Sequence, residues 1–592
     1  MSMLMSSTVL RSCGRTLRSF NGLRLSKTWK LCYTVPLHVD SPPHQPSLTT
    51  SYVNGTSSTP LLPLTMSQCL DATVQRWPDR EALVLQQDGI RKTFAQFQRD
   101  VDQVAAGLLA LGLEKGDRLG IWGPNIYEWI LFQFATAKAG IIMVSKQSTS
   151  ASESHSVIQC KAVLCPTSFK TQNYCEMLRE ICPEISTAAG GLIQSSRLPD
   201  LRMVIVTDSR QPGMLHIDDV LQAGESRHVK ELQELQSKLT AGDPINIQFT
   251  SGTTGKPKGA TLSHLNIVNN AYFVGLRMGF DKRPEVRVCL SVPMYHCFGS
   301  VLGGLCMAVH GVTLVFPSPG FDGRRSLEAI QNEKCTVVYG TPTMFTDMLG
   351  QQEANRSVMA GSPCPPAIMR KIKTVMKFEE MTIGYGTTEN SPVTFLGFPN
   401  DNEELKVNTV GCIMPHTEAK VVDPATGETV PLGASGELLI RGPCVMLGYW
   451  DEPQKTRDVI SQDLWYSTGD TASLNDLGYC RIEGRMKDMI IRGGENIYPA
   501  EIEEFLYKHP KVQEVQVVGV KDERLGEQVC ACIRLKDGQT SSTEEIRAFC
   551  KGQISHFKIP QYVMFVDSYP LTVSGKIKKN ELKEAMEKKL GL

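Results

Sequence analysis

Short apolar runs alternate with amphipathic helical patterns up to about residue 345, and this alternation constrains the fold more than any other feature. The runs include "AVLCP", "MVIVT", "TLVFP" and "TVVYG", each about as long as one strand. Between such runs lie longer stretches such as "TFAQFQRDVDQVAAGLLALGL", whose apolar residues recur at helical spacing. Strands and helices that alternate in this way form parallel sheets covered by helices on both faces. The sequence therefore predicts an α/β fold.

The pattern changes from about Val410, where "HTEAKVVDPATGETVPLGASGELLIRG" has short runs broken by Gly, Pro and Asp, typical of antiparallel hairpins. Near the C-terminus, Pro499 predicts the first turn of a helix, and "EVQVVGV" and "YVMFV" predict strands. The predicted architecture is a large N-terminal domain of parallel α/β sheets with a small β-barrel-like part. A small, mobile α+β C-terminal domain follows it.

The composition of the chain narrows the possible functions. Lysine plus arginine and aspartate plus glutamate both number 62, so no nucleic-acid-binding surface is predicted. The 18 cysteines include no C-x-x-C pair, which indicates reduced, mostly buried thiols in an intracellular compartment. The apolar segment from Cys297 to Phe316 contains His310 and four glycines. It is predicted to be a buried helix and a core strand rather than a transmembrane segment.

The first residues differ in composition from the rest. Serine and threonine are abundant there, and six basic residues precede the first acidic residue, Asp40: Arg11, Arg15, Arg18, Arg24, Lys27 and Lys30. An Arg-rich, Ser-rich and acid-free segment is typical of a mitochondrial transit peptide. We predict that residues 1–45 direct the protein to the mitochondrial matrix. A disordered tail without a targeting role is the alternative.

The loop after the run "INIQF" consists almost wholly of small, polar and basic residues: Ser251, Gly252, Thr253, Thr254, Gly255, Lys256, Pro257, Lys258 and Gly259. Glycines allow backbone N–H groups to converge on an anion, and hydroxyls and lysines add donors and positive charge. The spacing does not match the Walker pattern, because only two residues separate Gly252 from Gly255 and Pro257 follows. The loop therefore predicts a phosphate site of another type; a flexible polar surface turn is the alternative.

Four further motifs follow in the C-terminal half: "GYGTTENSP", "WYSTGD", "GRMKDMIIRGGENIYPAEIE" and "LTVSGKIKKNEL". Together with "TSGTTGKPKG", and in this order and spacing, they resemble the ATP-dependent adenylate-forming superfamily, which includes acyl-CoA synthetases, luciferases and peptide-synthetase adenylation domains. The match runs from about residue 65 to the C-terminus. Within it, "MPHTEAKVV", "CVMLGYW" and "QISHFKIP" are most similar to mitochondrial medium-chain acyl-CoA synthetases.

This resemblance implies a reaction in two steps. A small-molecule carboxylic acid attacks the α-phosphate of ATP to give an acyl-adenylate and pyrophosphate, and the thiol of coenzyme A then displaces AMP to give a thioester. ATP and coenzyme A are the implied co-substrates, and Mg²⁺ is the implied metal ion. The resemblance also implies an AMP-binding N-terminal domain over residues 60–484 and a C-terminal lid domain over residues 485–592.

By similarity, the ATP site would draw on several motifs. The loop of residues 251–259 would hold the β- and γ-phosphates, with Thr254 as a weak ligand of Mg²⁺. Tyr385 would flank the adenine, and Asp470 would accept hydrogen bonds from the ribose hydroxyls with Arg485 beside it. Thr388 would contact the α-phosphate.

The remaining roles concern the metal ion, the acid and coenzyme A. Glu389 would hold Mg²⁺, and Lys576 would stabilise charge on the transferring group. His296, in "PMYHCFG", would lie near the acyl carboxylate; a satisfied core histidine is the alternative. Lys487 would be the hinge of the C-terminal domain. The tunnel for coenzyme A would be lined by Gly493, Gly494 and Glu495.

Two segments depart from the superfamily pattern. Residues 145–160 carry "STSASESHSVIQC" where an Asn-Pro and a helix are usual, and residues 350–365 are predicted to be short by about one strand. A missing core strand would leave backbone groups of its neighbours unpaired. A nucleotide-binding protein without turnover is therefore the main alternative to an acid–CoA ligase, and luciferase-like oxidation and the loading of a carrier protein are others. The motifs determine neither acyl chain length nor oligomeric state.

Overall fold

The computed structural model describes residues 37–145, 159–250, 257–348, 356–359, 366–571 and 577–592. The chain divides into a unit of Met1–Thr34, which lies outside the described residues, and a compact unit of Val35–Leu592. The predicted leader falls mainly on the first unit. The elements below belong to the second.

Within the described residues, the strands are numbered in chain order. Strands β1 to β15 are Leu37–His38, Tyr52–Thr56, Glu81–Leu85, Ile90–Thr93, Arg118–Ile121, Ile142–Ser145, Ala162–Cys165, Ser168–Phe169, Gln172–Asn173, Met203–Val206, Leu215–His216, Pro244–Thr250, Lys258–Ser263, Arg287–Leu290 and Thr313–Phe316. Strands β16 to β30 are Val337–Gly340, Arg356–Met359, Glu380–Gly386, Val393–Leu396, Cys412–Ile413, Glu418–Val422, Gly436–Arg441, Gly448–Tyr449, Tyr466–Leu474, Cys480–Arg485, Ile490–Arg492, Glu495–Ile497, Val512–Asp522, Gly526–Leu535 and Tyr562–Phe565.

The α-helices of the same residues, α1 to α17, are Met66–Arg76, Phe94–Ala110, Tyr127–Lys138, Tyr174–Ile181, Ile217–Ala223, Ser226–Gln236, His264–Arg277, Cys297–Gly299, Cys306–His310, Gly323–Asn332, Pro342–Met348, Pro366–Val375, Glu403–Asn408, Pro453–Val459, Pro499–Leu506, Thr543–Cys550 and Lys579–Leu590. A π-helix, Ser300–Leu305, joins α8 to α9. Helices α1 and α2 begin at capping boxes. The hydroxyls of Thr65 and Thr93 accept hydrogen bonds from the backbone N–H groups of Gln68 and Gln96, and the side chains of these glutamines accept the backbone N–H groups of the threonines.

The first large sheet has the strand order β11-β10-β7-β5-β6-β12-β13-β23. Strands β10, β7, β5, β6 and β12 run parallel. Both faces are buried, because Leu119 and Met143 belong to one apolar cluster while Val144 and Val163 belong to another. The prediction of parallel strands in a sheet covered on both faces is confirmed for these five strands, whereas β13 pairs antiparallel with β12 and β23. Strand β12 ends at Thr250, so the loop predicted to bind phosphate, residues 251–259 and called the phosphate loop below, follows the carboxyl-terminal end of a strand of this sheet.

The second large sheet has the order β20-β19-β18-β17-β16-β14-β15-β3-β4. The expectation that residues 350–365 lack a strand is wrong, because β17 lies between β16 and β18 and pairs in parallel with both. The strand spans only Arg356–Met359, too short to stand out as an apolar run. Its two ladders give the neighbouring strands partners for their backbone groups, so this sheet is continuous.

The smaller part, predicted to be β-barrel-like, is a six-stranded sheet with the order β1-β2-β21-β22-β24-β25. Strands β2, β21, β22, β24 and β25 pair antiparallel, as predicted from the hairpin pattern. Strand β1 lies within the segment assigned to the leader, but Leu37 and Val39 are buried in the core of this sheet. The carbonyl of Val39 also accepts a hydrogen bond from the buried Arg277.

The C-terminal part contains a five-stranded sheet of β26 to β30 packed with α15 and α16. Helix α15 begins at Pro499, as predicted, and its buried Ile502 and Leu506 face the sheet. Cys530 and Cys532 lie on one face of β29, in a cluster separate from that of Val529. The large and small domains of the predicted architecture are therefore confirmed.

The apolar segment from Cys297 to Phe316 is a series of short buried helices followed by strand β15. Among the described residues, the helices are all too short or too polar to cross a membrane. The described cysteines are buried free thiols, as the sequence predicts.

Candidate functional site

A buried carboxylate, Asp470, lies in the middle of β24 with only 4% of its surface exposed. The hydroxyl of Tyr385, at the end of β18, donates to its Oδ2 at 2.6 Å. The guanidinium of Arg485, its partner on β25, lies 3.1 Å from its Oδ1. Burial, and then the charge of Asp470, raises the pKa of Tyr385 well above its ordinary value. The Tyr385 hydroxyl therefore stays protonated and donates to Asp470. Tyr385, Asp470 and Arg485 belong to three different sequence motifs, which meet at this carboxylate.

A second acidic residue, Glu389, lies in the 3₁₀ turn Thr388–Asn390 that follows β18. It is 8% exposed, and the hydroxyl of Tyr449 donates to its Oε1 at 2.9 Å. Its backbone carbonyl accepts the N–H of Met446 at 2.8 Å. Burial, and then the charge of Glu389, raises the pKa of Tyr449, so this hydroxyl also remains a donor. The carboxylate is thus held in one orientation close beside Thr388.

The described end of the phosphate loop lies against the same tyrosine. The ammonium group of Lys258, at the start of β13, lies 4.7 Å from the centre of the Tyr449 ring, within cation–π range. Strands β13 and β23 pair antiparallel, and the N–H of Trp450 donates to the carbonyl of Gly259 at 2.8 Å. Tyr449 therefore connects the phosphate loop to Glu389. The other loop residues, 251–256, lie outside the described residues.

Helix α7 holds the segments around these groups. Asn270 donates to the carbonyl of Val393 at 2.7 Å and accepts its N–H at 3.1 Å. Asn266 donates to the carbonyls of Pro443 and Val445 at 2.7 and 3.0 Å. These amides position the chain on both sides of the Glu389–Tyr449 contact. Sequence reasoning missed them and Tyr449, although amides on one face of an amphipathic helix, and the Tyr of "CVMLGYW", were readable signals.

His296 is half-buried at the start of α8, on a segment that follows β14. Its Nδ1 accepts the N–H of Phe298 at 3.2 Å, so the imidazole caps its own helix. Its predicted role beside the acyl carboxylate stays a prediction.

The predicted hinge and coenzyme A residues lie between β25 and the start of β27, just before helix α15. Lys487 is exposed in the 3₁₀ turn Met486–Asp488 that follows β25. Gly493 and Gly494, with φ of 60° and 89°, form a two-residue turn between β26 and β27. Two successive positive φ values are those of a hairpin turn that favours glycine. Glu495 is exposed at the start of β27, and Lys576 lies outside the described residues.

Glu389 suits a magnesium site that is completed by substrate phosphates and water, rather than a metal site made only of protein ligands. Among the described residues, no group of three or more His, Cys, Asp or Glu side chains is close enough to hold a metal. Mg²⁺ is usually held by one or two carboxylates together with substrate phosphates and water. A single oriented carboxylate beside the predicted phosphate loop has that character. Thr254, predicted from the resemblance as a weak ligand, lies outside the described residues.

Two family models match the chain. One describes an AMP-binding enzyme and covers residues 70–450; the other describes the AMP-binding enzyme C-terminal domain and covers residues 501–576. The chain belongs to the AMP-binding enzyme family. The resemblance inferred from the motifs is therefore confirmed.

Curated members of the AMP-binding family match almost the whole chain. The medium-chain acyl-CoA ligase ACSF2, mitochondrial, of Danio rerio is 64% identical over 94% of this chain and 94% of its own length. The protein of the same name from Homo sapiens is 54% identical, over 92% of this chain and 91% of its own length.

A solved structure of ATP-bound MatB from Rhodopseudomonas palustris matches with a TM-score of 0.76 and 25% identity. The match covers 88% of this chain and 99% of MatB. An anthranilate CoA ligase, AuaEII, solved with anthranoyl-AMP, has a TM-score of 0.77 at 24% identity, covers 90% of this chain and 99% of its own, and supports the fold alone.

Proposed function

We propose that the protein is an acid–CoA ligase that activates a medium-chain fatty acid with ATP and transfers the acyl group to coenzyme A. The contact chain from Lys258 through Tyr449 to Glu389 carries this proposal, because it brings the end of the phosphate loop together with a buried carboxylate. Asp470, with Tyr385 and Arg485, adds a polar acceptor for the nucleotide. Relatives that match most of the chain are named medium-chain acyl-CoA ligases.

In the first step the residues bind and orient rather than react. The lysines of the phosphate loop neutralise the β- and γ-phosphates, Thr388 contacts the α-phosphate, and Asp470 accepts hydrogen bonds from the ribose hydroxyls. Mg²⁺, when bound at Glu389, supplies positive charge that neutralises phosphate oxygens. His296 lies beside the acid, and Lys576 stabilises the charge that develops as pyrophosphate leaves.

In the second step the C-terminal domain presents the coenzyme A site. We assign this domain to residues 485–592 and the AMP-binding domain to residues 60–484, with Lys487 as the hinge. The exposed turn of Gly493 and Gly494 has no side chains, and with Glu495 it lines the path of the pantetheine arm.

The protein acts in the mitochondrion, where the leader composition and the names of its relatives both place it. Because β1 and Val39 are part of the folded core, a leader that ended at residue 45 would remove core residues. We therefore place the end of the leader before Leu37.

The test uses the full chain with ATP, Mg²⁺ and fatty acids of increasing length, with and without coenzyme A. We expect AMP and acyl-CoA to form only when acid and coenzyme A are both present, with the highest rate for medium chains. The variants Lys576→Ala and Asp470→Ala should lose this activity. Binding of ATP without AMP from any acid would contradict the proposal and favour a nucleotide-binding protein without turnover. The continuity of the sheet around β17 removes one reason for that alternative.

A further inference from the structure

Both ends of one buried amide, that of Gln248, are hydrogen-bonded to the segment that carries His296. Gln248 lies on β12, two residues before its end, and is 2% exposed. Its Oε1 accepts the thiol of Cys297 at 2.6 Å, and its Nε2 donates to Oγ of Ser300 at 2.8 Å. The backbone of the same residue pairs with β6 and β13, so the Cα position of Gln248 is fixed on both sides.

The partners of Gln248 lie directly beside His296. Cys297 is the next residue, and Oγ of Ser300 donates to the carbonyl of His296 at 3.3 Å. Ser145, the neighbour of Gln248 on β6, donates to the carbonyl of Tyr295 at 3.4 Å. Two adjacent strands therefore hold the backbone on both sides of His296.

The π-helix that follows the His296 segment is itself held by neighbouring elements. Ser300–Leu305 is a π-helix. This form is rare in proteins as a whole, but it is often found at functional sites. The amide of Gln133 donates to the carbonyl of Ser300 at 3.0 Å. A Cβ on Gly303 would lie 2.7 Å from the side chain of Leu290, so the π-helix also packs closely against β14.

We propose that Gln248 is a positioning residue, which sets the place of His296 relative to the strand that enters the phosphate loop. The inference rests on the proposed function, in which His296 lies beside the acid and the loop holds ATP. The carboxylate of the acid must approach the α-phosphate in line. The His296 segment and the loop after β12 therefore need a fixed position relative to each other. Gln248 links the two, because its backbone belongs to β12, which leads into the loop, and its side chain is hydrogen-bonded to the segment that carries His296.

The decisive variant is Gln248→Leu, which keeps the size of the side chain and removes both hydrogen bonds. We expect the KM for the fatty acid to rise and kcat/KM for the acid to fall roughly 10- to 100-fold, as for a small misplacement of reacting groups. The KM for ATP should change less than about twofold, because the loop keeps its own strand.

The matched control is Asn246→Leu. Asn246 lies on the same strand and the same face, is 4% exposed, and its Oδ1 has no hydrogen-bond partner among the described residues. It therefore reports the cost of replacing a buried amide on β12 without touching the His296 segment. If Asn246→Leu raised the KM for the acid as much as Gln248→Leu, or if folded Gln248→Leu kept the wild-type value, the proposal would be overturned.

A second pair of variants serves if Gln248→Leu does not fold. Cys297→Ser keeps a donor to Gln248 and should retain the KM for the acid, whereas Cys297→Ala should raise it. The rate at which diethyl pyrocarbonate modifies His296, read on its peptide by mass spectrometry, needs no turnover. That rate should rise several-fold in Gln248→Leu and Cys297→Ala but not in the controls. An unchanged rate would contradict the proposal even if the wild type proved inactive, and inactivity of the wild type alone would contradict the ligase function.

Discussion

The hydroxyl of Tyr449 donates to Oε1 of Glu389 at 2.9 Å, while the ring of the same tyrosine lies beneath the ammonium group of Lys258. This relationship joins a carboxylate that follows β18 to the loop that follows β12. One side chain thus contacts both an acidic and a basic group, each from a different motif.

Replacing Tyr449 with Phe removes the donor to Glu389 and keeps the ring beneath Lys258. A hydrogen bond to a charged group contributes about 1.5 kcal/mol, so kcat for acyl-adenylate formation should fall about tenfold. Pyrophosphate release measures this. Tyr52→Phe is the control, because Tyr52 donates to Glu418 on the six-stranded sheet. Equal activity of the two variants would mean that Tyr449 does not orient Glu389.

Asp470→Asn should weaken recognition of ribose. The neutral amide loses the charge that pairs with Arg485 and is a weaker acceptor for hydroxyl groups. We expect the preference for ATP over 2′,3′-dideoxy-ATP, measured as a ratio of kcat/KM, to fall about tenfold. Asp423→Asn, in an exposed turn, should leave the ratio unchanged. A ratio retained in Asp470→Asn would place the ribose elsewhere.

Gly494→Ala should slow the second half-reaction selectively. The residue has φ of 89° and a Cβ there would contact nothing within 4 Å, so the cost is local backbone strain of about 1 kcal/mol. We expect acyl-adenylate formation to continue while acyl-CoA formation slows, which single-turnover measurements with and without coenzyme A would separate. Gly538→Ala carries the same strain in an open turn between β29 and α16 and should affect neither step.

Arg277 should be one of the most destabilising positions to change. Its buried guanidinium donates to the carbonyls of four residues on three separate segments: Val39, Leu396, and the neighbours Cys412 and Ile413. Arg277→Met leaves these acceptors unpaired in the core and should lower the free energy of unfolding by about 3 kcal/mol or more. Urea denaturation measures the loss. Arg324→Met removes an exposed pair with Glu328 and should cost less than about 0.5 kcal/mol.

His264 should make stability fall on mild acidification. The residue is fully buried at the start of α7, its Nδ1 accepts the N–H of Met66, and burial lowers its pKa to about 4. Because the folded pKa lies below the unfolded value of about 6.5, the neutral form is present above pH 6.5 and protonation favours unfolding. The contribution, of the order of 3 kcal/mol, is lost as the pH falls from about 6.5 through 4. His264→Asn should flatten the stability–pH curve in this window; an unchanged slope would show that other groups cause it.

The sequence alone determined the local structure and the family. Alternating apolar runs predicted the parallel sheets, because strand and helix periodicities depend on neighbouring residues. The motifs predicted the phosphate loop, Glu389 and Asp470, because each is contiguous and its chemistry is carried by residue type. Pro499 and the Gly493–Gly494 turn were predictable for the same reason, since their backbone preferences are local.

Only the tertiary structure decided which distant residues meet. Tyr449 reaches Glu389, and Gln248 reaches Cys297, because a strand packs in each case against a helix or turn that lies far away in the sequence. Strand β17 could not be recognised in isolation, since four residues form a strand there only by pairing with neighbours on both sides. The burial of Val39 beside Arg277 likewise depends on helix α7, far along the chain. Such contacts depend on packing between elements, which no local pattern of residues encodes.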